Sequence, residues 1–230
     1  MPRRGSLLLA LVLLVAGAAP AAAHDAPALE DEFVKGVFSP SFVPPAAGSY
    51  ELPAIKRVPG FVLTDSRGRH VGTRELTAGK VAVVSFIYTA CPDRLGCPLA
   101  SRALRDLQAR LKDEGLGREV ALLSISFDPG RDTPATLAKY ANVYGADPAL
   151  WRFATAPSAR ALEGVLAGYG QDRAAVYDER GRFTGRYSHV LKVFLVDREG
   201  YIRNIYSAGF LVPDLVINDI RTVLTDPGGR

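Results

Sequence analysis

The sequence has few cysteines, a weak net charge, no repeats and no long apolar segment beyond its amino terminus, and each of these features makes a class of protein less plausible. It has only two cysteines, and 28 basic against 24 acidic residues give a net charge of +4, too weak to predict nucleic-acid binding. No internal repeat is apparent, and beyond the amino terminus no segment is apolar enough to cross a membrane. The 230 residues, 48% of them apolar, suffice for one sizeable domain or two small ones, and nothing indicates a second domain.

Residues 1–23 have the three parts of a secretory signal peptide. Arg3 and Arg4 form the positive region, Leu7–Val15 is the apolar region, and Ala21–Ala23 offers a cleavage site of small residues. No cysteine follows the apolar region, which argues against a bacterial lipoprotein anchor. We therefore predict an exported, periplasmic protein without a stable membrane span after cleavage; an uncleaved signal would keep it at the membrane. Export implies an oxidising compartment, where two cysteines could form a structural disulfide.

The remaining chain is predicted to comprise an arm and one folded domain. Proline and glycine interrupt residues 24–55, which indicates an extended N-terminal arm or tether, and the domain occupies residues 56–230. Within the domain, apolar runs alternate with amphipathic helical patterns. The predicted strands are Val81–Tyr88, Val120–Phe127, Val190–Val196 and Tyr201–Tyr206. The predicted helices are Pro98–Leu111, Pro134–Tyr144, Ser158–Tyr169 and Val212–Leu224.

This order of elements predicts an α/β protein with a thioredoxin-like fold. The central sheet would be mixed and four-stranded, with helices on both faces. Turn residues predict two additions to it: an N-terminal hairpin over Phe61–Val71, and a hairpin insertion over residues 171–187, before the third central strand.

Both cysteines lie in the loop between the first central strand and the first long helix. Cys97 precedes Pro98, a residue suited to a first helical turn, so the helix dipole favours a thiolate and we expect Cys97 to have the lower pKa. Cys91 lies six positions earlier, and Pro92 and Gly96 help such a loop to fold back. A disulfide closing so short a loop would stabilise by only about 2–3 kcal/mol. We therefore favour a functional role over a purely structural bridge.

His189 is the third candidate, because it immediately precedes the third central strand. In a thioredoxin-like sheet, the start of that strand lies beside the cysteine loop. Two thiolates and one imidazole form a soft, three-ligand set that selects Cu(I) and keeps Cu(II) within reach, whereas structural zinc prefers a fourth ligand. His24 would become the amino terminus after cleavage and could offer an accessory Cu(II) site, but we treat it as incidental. We assign no role to His70.

Several segments together resemble the SCO/SenC family of thioredoxin-fold copper proteins, which are tied to cytochrome c oxidase assembly. The segments are FIYTACPD, GCPLAS, SISFDPGRDTPATLAKYA, the W-R-F at Trp151, and SHVLKVFLVDREGYI. The resemblance covers roughly Leu52 to Leu224, and the order of the motifs is more specific than any one of them.

The resemblance implies roles for particular residues. The residues that match the copper ligands are Cys91, Cys97 and His189. The residues that match the family's acidic positions and its aspartate–proline loop are Asp93, Asp128, Pro129, Asp132 and Thr133. One departure concerns the cysteine motif, in which five residues, Pro92–Gly96, separate the two cysteines where the family usually has three.

Four functions stay open, and the first two are the leading ones. The first is an exported metallochaperone of the SCO/SenC type, which would pass copper to a cytochrome c oxidase subunit or to another copper or thiol protein. The second is an enzyme, a thiol–disulfide oxidoreductase, in which Cys91 and Cys97 form a redox-active pair that acts on partner cysteines. A peroxidase is a weaker third candidate that would need Thr89 and an arginine beside the nucleophile. The fourth is a binding module with a structural disulfide.

Overall fold

The centre of the molecule is a pair of strands buried along their whole length. The computed structural model describes residues 42–226. Strands β4 (Val81–Ile87) and β5 (Val120–Ser126) pair in parallel, and every residue in both is buried. This arrangement confirms the two central strands predicted from unbroken apolar runs, since a strand covered on both faces shows no polar alternation.

Six further strands extend this pair into a mixed, eight-stranded sheet. They are β1 (Lys56–Arg57), β2 (Val62–Asp65), β3 (His70–Gly72), β6 (Trp151–Thr155), β9 (Val193–Val196) and β10 (Tyr201–Tyr206). The order across the sheet is β1-β10-β9-β4-β5-β6-β2-β3. Strand β6 runs parallel to β5, whereas β9 is antiparallel to β4. Strands β7 (Ala174–Tyr177) and β8 (Phe183–Ser188) form a separate hairpin, which is the predicted insertion.

Five α-helices accompany the sheet in the described part of the chain. They are α1 (Thr73–Leu76), α2 (Cys97–Asp113), α3 (Pro134–Val143), α4 (Ala159–Tyr169) and α5 (Pro213–Thr225). The four longer helices were predicted, each to within two residues at either end. Thr133 and Ser158 begin α3 and α4 as side-chain caps, accepting hydrogen bonds from the amides of Thr136 and Ala161. The structure thus has the predicted thioredoxin-like α/β architecture.

The sheet is wider than the four strands predicted, mainly because β6 was missed. The segment from Trp151 to Thr155 is only five residues long and contains Arg152, so its pattern is too short to stand out. The third central strand also begins later than predicted, at Val193, because residues 189–192 lie outside any ladder.

The described end of the predicted arm lies against α5. The Gly48 amide donates to Thr222 Oγ1 at 2.9 Å, the Asn218 side chain donates to the Pro45 carbonyl at 2.9 Å, and the Tyr50 hydroxyl donates to Asp219. The predicted signal peptide, residues 1–23, and His24 lie outside the described residues. Between residues 42 and 226, no helix has the length and apolar character that a membrane crossing requires.

Candidate metal centre

The cysteine loop leaves the carboxyl end of β4 and folds back through two turns. The Cys91 amide donates to the Tyr88 carbonyl at 3.2 Å, and the Gly96 amide donates to the Asp93 carbonyl at 3.0 Å. The second turn accommodates the longer loop, so that Cys97 still begins α2. The Tyr88 amide then approaches Cys97 Sγ at 3.4 Å as a hydrogen-bond donor.

The strand order brings His189 to the same edge of the sheet. Strand β9 is antiparallel to β4, with Val193 opposite Ser85, so the segment before β9 lies beside the loop that follows β4. His189 Nε2 is 3.9 Å from Cys97 Sγ. One ligand atom from each of Cys91, Cys97 and His189 forms a group with all separations within 4.8 Å.

These separations fit one metal ion. Sulfur and nitrogen ligands lie about 2.0–2.3 Å from a metal such as zinc, so two ligands of one ion are at most about 4.6 Å apart. The three donor atoms therefore need to move by only a few tenths of an ångström to share an ion. The donor set of two sulfurs and one imidazole nitrogen suits a soft metal ion.

The orientation of the His189 ring follows from its neighbours. Its Nδ1 lies 3.3 Å from the carbonyl oxygen of Val190, an atom that can only accept a hydrogen bond, and its Nε2 faces Cys97 Sγ at 3.9 Å. The ring also packs edge to face against Phe127, with centroids 4.7 Å apart. Nε2 is thus the nitrogen presented to the thiols, as a metal ligand requires.

The two thiols differ in acidity, in the opposite sense from the sequence prediction. Hydrogen bonding from the Cys97 side chain lowers the pKa of the Cys91 thiol to about 4. Burial raises the pKa of Cys97 well above its usual value, because its side chain is 0% exposed. The prediction that Cys97 has the lower pKa is therefore wrong: the helix terminus is present, but burial outweighs it.

Gly96 allows the close approach of Cys91 to the start of α2. A Cβ atom at position 96 would lie 3.4 Å from Cys91 Sγ and 3.3 Å from the Asp93 carbonyl oxygen. A side chain at position 96 would therefore crowd the Asp93 carbonyl and touch the more acidic thiol.

The loop after β5 fixes the segment that precedes Cys91. Asp132 is 1% exposed and accepts hydrogen bonds from the Thr89 amide at 3.1 Å, the Thr89 hydroxyl at 2.5 Å and the Ser126 hydroxyl at 2.5 Å. Asp128 in the same loop pairs with Arg131 and accepts from the Tyr187 hydroxyl at 3.3 Å. The aspartate–proline loop thus touches both the cysteine loop and the hairpin that leads to His189.

Aromatic residues that sequence reasoning missed surround the site. Tyr88 and Tyr187 are packed edge to face with centroids 5.5 Å apart, and Phe127 contacts both rings. The Arg173 guanidinium lies 4.6 Å above the Tyr187 ring. In the sequence these residues look like ordinary strand and hairpin positions, so no local signal identifies them.

The site opens into a cleft of about 470 Å³ between the cysteine loop and β8. Its lining includes Cys91, Leu95, Arg186 and His189. His70 lies elsewhere, on edge strand β3, where its Nδ1 is 3.3 Å from the Thr64 hydroxyl.

Comparisons with known proteins agree with this architecture. A family model described as SCO1/SenC matches residues 51–225. The chain is 29% identical over 184 residues to the SCO1 protein homolog of Bacillus subtilis (strain 168), covering 78% of this chain and 90% of that protein. It is also similar to the structure of Bradyrhizobium japonicum ScoI with copper bound (26% identity, TM-score 0.56, 70% of this chain and 99% of that one). A third similar structure is that of BsSco, a member of the Sco family of cytochrome c oxidase assembly proteins with a disulfide switch (27%, TM-score 0.60, 77% and 97%).

Proposed function

The chain belongs to the SCO1/SenC family, and we propose that it is an exported copper-binding metallochaperone that supports the assembly of a copper site in cytochrome c oxidase. One observation carries this proposal: Cys91, Cys97 and His189 place three soft ligand atoms within 4.8 Å of one another beside an open cleft. Thiolate and imidazole ligands suit Cu(I) and Cu(II), whereas Mg²⁺ and Ca²⁺ prefer oxygen.

The three ligands differ in how far a partner could reach them. Cys91 and His189 are half-buried and line the cleft, whereas Cys97 is fully buried. A partner's ligand that enters the cleft would therefore approach from the side of Cys91 and His189. Copper could then pass by exchange of one ligand at a time, with Cys97 as the last bond to break.

Export and the choice of partner rest on the sequence and the relatives. Residues 1–23 have the composition of a signal peptide, which supports a periplasmic location, or a membrane-associated one if the signal is uncleaved. The recipient would be a cytochrome c oxidase subunit or another copper or thiol protein. The similarity to copper-bound ScoI and to BsSco supports this assignment.

The pair of thiols also favours a second function, thiol–disulfide exchange. The Cys91 thiolate, exposed to the cleft, would attack a partner's disulfide, form a mixed disulfide and release one partner thiolate. Cys97, after loss of its proton, would then attack Cys91 Sγ and release the second partner thiol. The partner gains two electrons, and Cys91 and Cys97 become joined by a disulfide. Copper and this disulfide would compete, because the same sulfurs serve both.

A transfer experiment tests the proposal. The reduced, copper-loaded protein is mixed anaerobically with the metal-free soluble copper-site domain of a cytochrome c oxidase subunit, and the separated proteins are analysed for metal. We expect copper on the recipient. Reduction of the recipient's disulfide without copper transfer would instead support the oxidoreductase, and neither reaction would contradict both.

A further inference from the structure

In the described part of the chain, few hydrogen bonds hold the segment that carries His189. Residues 189–192 lie between β8 and β9 and belong to no ladder. Two side-chain hydrogen bonds tie this segment to the end of α4: Gln171 Nε2 donates to the Val190 carbonyl at 3.1 Å, and Lys192 Nζ donates to the Gly170 carbonyl at 2.6 Å. The position of His189 therefore depends on contacts made by residues just beyond α4.

Gln171 is the more deeply placed of these contacts. It is 2% exposed, and its Nε2 also donates to the Asp172 carbonyl at 3.0 Å. Because both partners are carbonyl oxygens, which only accept, the orientation of the side-chain amide is determined. Its Oε1 is buried without a hydrogen-bond partner in the described part of the chain, so a gain in folding stability does not by itself account for this residue.

The Val190 carbonyl joins Gln171 to His189. The same oxygen that accepts from Gln171 lies 3.3 Å from His189 Nδ1. We propose that Gln171 is a positioning residue for His189: by fixing the Val190 peptide plane, it holds the proton on Nδ1 and aims Nε2 at the thiols. This inference rests on the proposed copper site and adds to it a residue that does not touch the metal.

Loss of the Gln171 hydrogen bond to the Val190 carbonyl should weaken Cu(II) binding more than Cu(I) binding. Two thiolates can hold Cu(I) linearly, whereas Cu(II) relies on the imidazole. Residues that orient a metal-binding histidine typically change metal affinity by about 10–100-fold when they are replaced. For Gln171→Met, which keeps the volume and removes the N–H donors, we expect Cu(II) affinity to fall by about tenfold.

Gln108→Met is the matched control. Gln108 is also a buried glutamine, 7% exposed, whose Nε2 donates to the Gly145 carbonyl at 3.0 Å and whose Oε1 accepts from the Asp147 amide at 2.7 Å. It lies on α2 eleven residues beyond Cys97, about 16 Å along the helix. Its replacement should affect stability without changing the histidine.

The experiment has a readout that needs no copper. Nitrogen-15 NMR of the reduced, metal-free protein reports which ring nitrogen of His189 carries the proton, and Cu(II) titration with electron paramagnetic resonance follows in the same samples. We expect the Nδ1–H tautomer in wild type and in Gln108→Met, and a mixture of tautomers with about tenfold weaker Cu(II) binding in Gln171→Met.

Several outcomes would overturn the inference. One is an Nε2–H tautomer in wild type, a measurement that holds even if Gln171→Met does not fold. The others are a wild-type tautomer in Gln171→Met, or an equal change in Gln108→Met. If wild type binds no copper while the tautomer changes as expected, the proposed function fails but the positioning of His189 by Gln171 stands.

Discussion

His189 Nε2 lies 3.9 Å from Cys97 Sγ, although the two residues are 92 positions apart in the chain. The antiparallel pairing of β9 with β4 brings them together, and the contact of Nδ1 with the Val190 carbonyl turns Nε2 toward the thiols. Because Cys91 Sγ joins the same group, one imidazole and two thiols share a single site. The two thiols differ in acidity and in exposure.

The imidazole should matter more for the harder oxidation state of copper. We expect His189→Ala to weaken Cu(II) binding by at least tenfold, on the order of 1.4 kcal/mol, and Cu(I) binding by less. Affinities for both ions, measured by competition with chelators under matched conditions, check this. His70→Ala is the control, since that imidazole lies on edge strand β3. Equal losses for both ions in His189→Ala would contradict this division of roles.

The Cys91 thiol should react as a thiolate across the neutral range. Because its pKa is lowered to about 4, its alkylation by iodoacetamide should be almost independent of pH between about 6 and 9, whereas an ordinary thiol with a pKa of about 8.5 accelerates there. Peptide mapping of the reduced protein gives the rate at each cysteine. We expect Cys97 to stay unmodified in the folded protein. A Cys91 rate that rises tenfold per pH unit would refute this assignment.

Asp132 should be needed to hold the segment before Cys91. Asp132→Ala leaves the Thr89 amide and the Thr89 and Ser126 hydroxyls without their acceptor. A buried unsatisfied group costs about 1–3 kcal/mol, but Thr89 is only half-buried, so water reaches its two groups and only the Ser126 hydroxyl carries the full cost. We expect a loss of about 2–4 kcal/mol in the free energy of unfolding, measured by urea denaturation. Asp147→Ala, at a more exposed carboxylate, should cost less than about 1 kcal/mol. Equal losses of unfolding free energy in the two variants would show that the buried hydrogen bonds of Asp132 stabilise the fold no more than an exposed carboxylate does.

The longer cysteine loop should tolerate a return to three intervening residues. Deleting Arg94 and Leu95 removes the middle of the turn between Asp93 and Gly96, and it keeps the glycine that lies against Cys91 Sγ. If copper handling is the main role, Cu(I) affinity should be kept or raised; if thiol exchange is, the reduction potential should shift and exchange should slow. Both are measured on wild type and deletion side by side. Loss of copper binding with an unchanged circular dichroism spectrum would contradict the assignment of the ligands.

The fold was largely predictable because its central elements have strong local patterns. Strands β4 and β5 are apolar throughout, and Thr133 and Ser158 mark the starts of their helices. Strand β6 was missed because its five residues form a strand only by pairing with β5 and β2, and that pairing has no local signature.

The site was predictable in composition but not in its energetics. The two cysteines and His189 stand out by residue type, and the order of strands brings them together. The acidity of the thiols depends on how deeply each is buried. The Cys97 side chain is 0% exposed, and its position before Pro98 in the sequence does not reveal this. Gln171 was missed because its partner, the Val190 carbonyl, is nineteen residues away in the chain. A backbone carbonyl is present at every residue, so residue type does not identify it as an acceptor.

The most direct test of the proposed copper site is an anaerobic competition titration of the reduced protein against a Cu(I) chelator. Wild type, Cys91→Ala and Cys97→Ala are compared, because the two sulfurs are the soft ligands on which we expect Cu(I) binding to depend. We predict one Cu(I) per wild-type molecule and loss of this binding in both variants. An unchanged Cu(I) affinity in either variant would contradict the account.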